Sequence, residues 1–449
     1  MRKLFGTDGI RAVAGEPPLD AKTIYAVGLA LAHQLKDESP TPSIILGMDT
    51  RESGLSIAAV LTAGLIEGGA IVQSAGIITT PAIAYLARRH GFSAGVVISA
   101  SHNPWHDNGI KVFGGDGYKL PDATELRIEE EIFRRLVSIT APEPAALSAP
   151  PADPKFRADY ESFLLSAVPG LNLGGLSLVL DCANGAASAI APELFARLGG
   201  SVRFTHIHPD GRNINADCGA LHPEIVAAET KTHRADIGVT FDGDADRALF
   251  ADSRGNVVNG DAVLLLAARD LKVRGMLNGN LVVATTMSNM GLEAALRRDS
   301  ITMLRAPVGD KYVLEMMQAK SASIGGEQSG HILFPHLATT GDGLLTALVV
   351  LDLVRRSGKP LHALVADLRV FPQVIVNVRV REKKPLQQIP TVAARIRSAE
   401  EELRDTGRVV IRYSGTEPLA RVMIEAESEE AMHRHADSIA AAIRDALGA

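Results

Sequence analysis

The sequence predicts an α/β protein: several units built on largely parallel sheets, closed by a smaller domain of α+β type. Three observations lead there. Short apolar runs of strand length recur along the chain, each followed by a polar loop and then by a stretch with helical periodicity. A Pro/Ala-rich stretch at 141–154 interrupts that rhythm. Near Phe371 the texture changes, and Val374, Val376, Val378 and Val380 alternate with Ile375, Asn377 and Arg379, as in a strand with one partly solvated face.

The elements follow in order. Ser43–Asp49 is apolar and precedes a helical pattern over Leu55–Glu67. Gly95–Ala100 is a buried-looking run that opens into Ser101-His-Asn-Pro-Trp-His-Asp-Asn-Gly-Ile-Lys111. Prolines in Ala141-Pro-Glu-Pro through Asp153-Pro154 exclude a helix or central strand there, so the segment reads as a connector closing the first domain. Leu176–Leu180 runs into Asp181-Cys-Ala-Asn-Gly, and Ile237–Phe241 into Asp242-Gly-Asp-Ala-Asp-Arg247. Leu281–Ala284 runs into Thr285-Thr-Met-Ser-Asn, and Ser323-Ile324 into Gly325-Gly-Glu-Gln-Ser-Gly-His331. In the last domain, helices are expected at about Gln387–Arg404 and Glu429–Leu447, with two short strands between them. The sequence displays no strong internal repeat, although the three larger units are compatible with one shared fold.

Composition narrows the functional class. A chain of 449 residues exceeds one ordinary core and suggests about three domains. With 46% hydrophobic and 22% charged residues it is globular, neither disordered nor fibrous. The net charge of −6, from 46 basic and 52 acidic residues, provides no global field for nucleic acid, so any anion site must be a local cluster of cations. Cys182 and Cys218 alone make neither a disulfide framework nor a four-ligand zinc site, and a reducing cytoplasm is expected. No membrane role is expected, because the N-terminus lacks a signal-peptide core and the apolar stretch Leu344–Val354 is short and broken by Asp352.

The loops carry the chemistry. Ser101 is presented at a strand end, where open α/β sheets place their sites, yet no G-x-S-x-G elbow frames it. Lys111 supplies a cation suited to phosphate. Asp242, Asp244 and Asp246 crowd one tight loop, where a cation must offset their repulsion and oxygen ligands suit Mg²⁺ shared with a phosphate. An EF-hand is excluded, since Arg247 and Ser253 occupy its glycine and glutamate positions. Glu327 and Ser329 fit recognition of vicinal sugar hydroxyls, and His331 is either a general base or a structural histidine. Arg412-Tyr-Ser-Gly-Thr-Glu-Pro-Leu-Ala-Arg421 sets a Ser-Gly-Thr turn between two arginines, a pattern that binds anions. Phe5-Gly-Thr-Asp-Gly-Ile-Arg11 is a further glycine-bounded loop carrying a cation. Zinc is excluded at His102 and His106 by the intervening Pro104, and Cys218 and His222 lack companion ligands at recognisable spacing. No P-loop and no complete G-x-G-x-x-G occurs.

Taken as an ordered set, these loops resemble the α-D-phosphohexomutase family over essentially the whole chain. Within it, Gln328 in Gly-Glu-Gln-Ser-Gly-His, Ile98-Ser-Ala-Ser-His-Asn-Pro, Gly211-Arg-Asn-Ile-Asn and Cys218-Gly-Ala-Leu-His-Pro-Glu224 point to the bacterial members that act on glucosamine phosphates. The resemblance implies four domains around a central cleft: three similar α/β units at 1–154, 155–256 and 257–370, and a TBP-like α+β domain at 371–449. It implies an isomerase that interconverts glucosamine 6-phosphate and glucosamine 1-phosphate through phosphoserine at Ser101 and a sugar 1,6-bisphosphate. One Mg²⁺ per site would be held by Ser101, Asp242, Asp244 and Asp246. Arg11, Lys111, Arg247 and His331 would be catalytic, with Lys111 and His331 both open as general acid/base. Glu327, Ser329, Arg412, Ser414, Gly415, Thr416 and Arg421 would bind substrate. The implied partner is a small sugar phosphate, with no nucleic acid and no membrane, and a homodimer left open. Glucose or mannose phosphates, a metal-dependent phosphatase and a non-catalytic binder are the alternatives. Ala245, Lys311 and Tyr413 depart from the family's commonest residues.

Overall fold

Three sheets repeat one strand order, and that repeat decides where the polar loops lie. In the computed structural model the described residues are 4–6, 8–37, 39–414 and 418–448. They form two units: Met1–Thr286 with Leu304–Val365, and Met287–Met303 with Ala366–Ala449.

The first sheet contains β1 (Ile10–Val13), β2 (Ser43–Met48), β3 (Ile71–Ile77), β4 (Ala94–Ile98) and β5 (Asp107–Gly114), in the order β1-β5-β4-β2-β3. The second contains β6 (Ser177–Asp181), β7 (Ser201–Thr205), β8 (Ile237–Phe241), β9 (Ala248–Asp252) and β10 (Val257–Val258), in the order β10-β9-β8-β6-β7. The third contains β11 (Leu281–Thr285), β12 (Thr302–Ala306), β13 (Gly325–Gly326) and β14 (Ile332–Leu333), in the order β12-β11-β13-β14. Setting aside the edge strands β1 and β10, each sheet places its second strand outside its first, then its third, then its fourth. The first and third strands run parallel, and the fourth turns back antiparallel on the third. The sheets are therefore mixed, with parallel centres.

Helices on the sheet explain why the central strands read as unbroken apolar runs. Every residue of β4 and β8 is buried. On the first sheet, Ile44, Leu46, Val96 and Ile98 share a core with Ile24, Leu31, Leu61 and Leu65. Each such side chain contributes about 1.5–3 kcal/mol by leaving water. The helix Ala21–Leu35, capped by Asp20, crosses Gly54–Glu67 so closely that a Cβ on Gly28 would lie 2.5 Å from the Leu61 carbonyl oxygen.

Two local expectations are corrected. The 141–154 connector does contain a 3₁₀ turn at Pro144–Ala146, and its last residue opens the helix Pro154–Ala167. Proline is compatible with a first helical turn because the N–H it lacks has no intrahelical acceptor there, and Asp153 caps the turn by accepting from Lys155 N. Pairing in the third sheet is registered at Gly325–Gly326, one step beyond the apolar Ser323-Ile324. The run Leu344–Val354 lies within the helix Gly343–Ser357, and among the described residues no helix is long and apolar enough to cross a membrane.

The second unit holds an antiparallel sheet of β15 (Gln373–Arg379), β16 (Gly407–Tyr413) and β17 (Leu419–Ala426), in the order β15-β17-β16. Helices Pro390–Leu403 and Glu429–Leu447 pack on it around Val378, Val422, Ile424, Ile439 and Ile443. An earlier stretch of chain joins this unit, the helix Met290–Arg298. Asn289 exchanges two hydrogen bonds with the Phe371 backbone, and the buried Glu425 carboxylate accepts from Met290 N at 2.9 Å while pairing with Arg408.

Candidate active site

In all three large sheets the turn between the third and fourth strands carries the reactive groups. Ser99–His106 joins β4 to β5, Asp242–Arg247 joins β8 to β9, and Glu327–His331 joins β13 to β14. One topological position, repeated three times, thus supplies Ser101, the aspartate loop and the Glu327 loop. Each turn lies beyond the carboxyl end of a central strand, where the backbone stops pairing and side chains are freed for ligands.

The first two turns meet at Ser101. Its hydroxyl donates to Asp242 Oδ2 at 2.6 Å, and His102 Nδ1 lies 3.4 Å from Ser101 Oγ. Lys111, from β5, donates to Asp244 Oδ2 at 2.7 Å and lies 2.8 Å from Asp8 Oδ2 and 3.7 Å from Asp246 Oδ2. Arg11 pairs with Asp8 at 2.5 Å. Arg247 donates its backbone N–H to Asp242 Oδ1 at 3.2 Å and brings its guanidinium within 3.8 Å of Asp246.

The third turn closes a ring of alternating charge. Lys119 bridges Asp8 at 2.6 Å and Asp310 at 2.5 Å. His331 lies 3.6 Å from Asp310 and 3.7 Å from Asp246, and Asp246 leads back to Lys111. Glu327 accepts from Gly309 N at 3.1 Å and from the Ser329 hydroxyl at 3.4 Å. A cavity of about 400 Å³ adjoins these groups, lined among others by Arg11, His102, Arg247, Glu327 and His331. That volume lies in the range of small-ligand sites.

Burial and crowding set the protonation states. Burial, then Asp246 and Asp244, push the Asp242 carboxyl well above its ordinary range. Burial opposes the Lys111 charge, but Asp244, Asp8 and Asp246 outweigh it and raise the ammonium above its ordinary value. For His331, Asp246 and Asp310 overcome burial and lift the imidazole to about 9. His102 goes the other way: burial, Arg247 and Arg11 lower it to about 4. Asp8 remains ionised despite burial, because Lys111, Lys119 and Arg11 surround it.

The aspartate loop fits a divalent cation. Asp242, Asp244 and Asp246 each bring one oxygen within 4.8 Å of the others. Asp244 Oδ1 and Asp246 Oδ1 are buried and make no hydrogen bond. Hard carboxylate oxygens left without donors are the ligand set such an ion takes, so these three residues can hold a metal.

The second unit is described by itself. Arg412 and Arg421 are direct cross-strand partners at the turn between β16 and β17, so two like charges face each other. Lys383 donates to the Ser414 carbonyl oxygen at 2.7 Å, adding a third cation beside that turn. Gly415 and Thr416 lie outside the described residues.

Sequence profiles match this architecture in four segments. Those described as phosphoglucomutase/phosphomannomutase alpha/beta/alpha domains I, II and III match residues 2–136, 160–255 and 259–371, and the C-terminal domain matches 375–442. The chain belongs to the phosphoglucomutase/phosphomannomutase family. Among curated relatives, the phosphoglucosamine mutase of Koribacter versatilis is 59% identical, covering 100% of this chain and 98% of that protein. The phosphoglucosamine mutase of Solibacter usitatus is 52% identical, covering 100% and 99%. A family member of known structure from Burkholderia thailandensis, 23% identical, superimposes with a TM-score of 0.78 over 98% of this chain and 97% of its own. The N-acetylphosphoglucosamine mutase of Aspergillus fumigatus, solved with GlcNAc-6P and magnesium, is 20% identical with a TM-score of 0.64, covering 99% and 96%. Both structures establish the shared fold.

The turns of the three sheets, with Arg11 of β1 and Lys111 of β5, bring together Ser101, Asp242, Asp244, Asp246, Arg247, Glu327, Ser329 and His331, all within the first unit. Sequence reasoning missed Asp8, Lys119 and Asp310, which complete the charge ring, and Thr80, whose hydroxyl and N–H both donate to Asp244. Asp8 could have been found, since it lies in the Arg11 loop. Lys119, Asp310 and Thr80 carried no local signal.

Proposed function

We propose that this chain is a phosphoglucosamine mutase, interconverting glucosamine 6-phosphate and glucosamine 1-phosphate. The observation that carries the chemistry is the Ser101 hydroxyl, hydrogen-bonded at 2.6 Å to a buried aspartate of a three-carboxylate loop and facing a ring of lysine, arginine and histidine charges. The substrate assignment rests on the full-length likeness to curated phosphoglucosamine mutases at 59% and 52% identity.

In the working form Ser101 carries the phosphoryl group. The P–Oγ bond to Ser101 breaks as a P–O bond forms to the free sugar hydroxyl, whose proton passes to a neighbouring base, and a 1,6-bisphosphate results. After the intermediate turns over, the P–O bond to its other sugar oxygen breaks as a P–Oγ bond to Ser101 forms and that sugar oxygen takes a proton back, so neither water nor phosphate is consumed. Phosphoryl transfer needs positioning and charge neutralisation more than covalent chemistry. Arg11, Lys111 and Arg247 supply the positive charge around the transferring group. Asp242, Asp244 and Asp246, with Ser101, hold Mg²⁺, which neutralises phosphoryl oxygens when bound. Lys111 and His331 are the candidates for proton transfer at the sugar oxygen; the neighbouring carboxylates hold both as cations in the metal-free site, and a Mg²⁺ on the three aspartates would relieve the charge that keeps them protonated. Glu327 and Ser329 hydrogen-bond the sugar hydroxyls. Arg412, Ser414, Gly415, Thr416 and Arg421 make an anion-binding loop for phosphate, consistent with the paired arginines.

The test is an assay on Mg²⁺-loaded protein primed with a sugar 1,6-bisphosphate, offering glucosamine, glucose and mannose phosphates. The proposal expects the highest kcat/KM for glucosamine phosphate and no release of phosphate in step with substrate loss. Preference for glucose or mannose would reassign the substrate within the family, and stoichiometric phosphate release would make the chain a phosphatase.

A further inference from the structure

Arg51 follows the strand β2 and enters no motif so far described, yet it uses every one of its donors beneath the Ser101 turn. The residue is buried, at 3% exposure. Its Nε donates to Asp49 Oδ2 at 2.9 Å. One terminal nitrogen donates to the carbonyl oxygens of Pro104 and, at 2.9 Å, Asp107. The other donates to those of Ser101 at 3.0 Å and Asn103 at 2.9 Å. A guanidinium carries five N–H donors in a rigid plane, and here four backbone carbonyls and one carboxylate take them all. Asp49 also accepts from the Ser99 hydroxyl at 2.6 Å, and Ser99 Oγ accepts from Ser101 N at 2.9 Å.

A second clamp arrives from the loop between β7 and β8. The Asn215 amide donates to the same Ser101 and Asn103 carbonyl oxygens, at 3.0 and 3.2 Å. Ser101 has φ +53°, a left-handed conformation that a non-glycine residue keeps only when its surroundings enforce it. The enforcing donors hold the serine's peptide on both sides, leaving its hydroxyl directed at Asp242. Gly243 of the aspartate loop is pressed onto the same carbonyl: a Cβ there would lie 2.5 Å from Ser101 O and 2.8 Å from Asn215 Nδ2.

We propose that Arg51 and Asn215 are positioning residues for phosphoryl transfer, fixing the strained Ser101 backbone so that its side-chain oxygen stays registered on the aspartate loop in both the phosphorylated and free states. The inference rests on the phosphoserine reading above. A serine that shuttles a phosphoryl group twice per cycle must regain one position each time, since displacement of a reacting atom by about 1 Å can cost roughly a hundredfold in rate. Without the clamp, the turn relaxes from positive φ and the phosphoryl group swings toward solvent, where water takes it.

The test uses full-length Mg²⁺-loaded protein and two variants. Asn215→Gly removes the amide while tolerating the residue's own left-handed conformation at φ +58°, and it leaves the Arg51–Asp49 pair intact. Arg51→Lys keeps the charge but loses the fork. Steady-state isomerisation of glucosamine 6-phosphate and inorganic phosphate released per turnover are measured together. Both variants are expected to lose roughly tenfold to a hundredfold in kcat with KM little changed, and to release more phosphate per turnover. Asn215→Gly with kcat within about twofold of the wild type, or a loss confined to KM with phosphate release unchanged, would overturn the proposal. Failure of the phosphoserine reading shows separately, as undiminished turnover by Ser101→Ala.

Discussion

Replacing Lys111 by methionine probes the electrostatic frame of the site. The change keeps the aliphatic stem and removes a charge that is 2% exposed, 2.7 Å from Asp244 and 2.8 Å from Asp8. Each close pair has a gross attraction of about 6 kcal/mol at an effective dielectric of ~20. Desolvation of the ions cancels much of this, and stranding the partner of a buried pair typically costs about 3–5 kcal/mol. Asp244 loses its close cation, whereas Asp8 keeps Lys119 and Arg11, so the lower end of that range applies. The assay is urea unfolding in EDTA and again with excess Mg²⁺, alongside steady-state isomerisation. The variant is expected to unfold at lower urea in EDTA, to recover part of the loss with Mg²⁺, which neutralises the same carboxylates, and to lose most turnover. A variant with the wild-type midpoint in EDTA and wild-type turnover would refute the frame.

Other outcomes follow from the same geometry. Asp342 caps the helix Gly343–Ser357 and accepts from Tyr160, and burial raises its carboxyl to about 6. A raised carboxyl favours the folded protein at low pH, and that advantage is lost as pH rises through about 6. Asp342→Asn should therefore gain about 2 kcal/mol relative to wild type between pH 4 and pH 7 in parallel unfolding titrations; a constant difference would contradict the assignment. Asp244→Asn should weaken Mg²⁺ binding roughly tenfold or more by calorimetry, and unchanged affinity would remove Asp244 from the metal set. Gly243→Ala should destabilise the protein by about 1–3 kcal/mol by overpacking and lower kcat through Ser101; wild-type behaviour would mean that the aspartate loop yields freely. Arg408→Met leaves buried Glu425 without its cation and should destabilise the second unit by about 3–5 kcal/mol, seen as faster amide exchange there than in the first unit.

Much of the site was legible because its groups sit in short loops after apolar strands. Ser101, the three aspartates and Glu327 could be placed at strand ends from periodicity alone, and Ile237–Phe241 and Glu429–Leu447 have the boundaries the sequence predicts. The shared strand order was hidden, because the three sheets preserve topology without preserving residues. Partners at long range were hidden as well. Thr80 and Asp244 are 164 residues apart, and Asn215 and Ser101 are 114 apart, so no window along the chain contains both members. Arg51 reads as an ordinary arginine after a strand, and its role exists only once the Ser101 turn folds over it. The helix Met290–Arg298 joins the second unit through Asn289 and Glu425, a pairing that local pattern does not encode.

The most direct test of the account is the chemical state of Ser101 during turnover. Purified protein is incubated with a sugar 1,6-bisphosphate and Mg²⁺, desalted, mixed with glucosamine 6-phosphate, and followed by peptide mass spectrometry and analysis of the sugars. The account predicts one phosphoryl group on Ser101 that falls on mixing as an equal amount of glucosamine 1,6-bisphosphate appears, and that returns to Ser101 as glucosamine 1-phosphate accumulates. Turnover of glucosamine 6-phosphate with Ser101 unmodified throughout would contradict it.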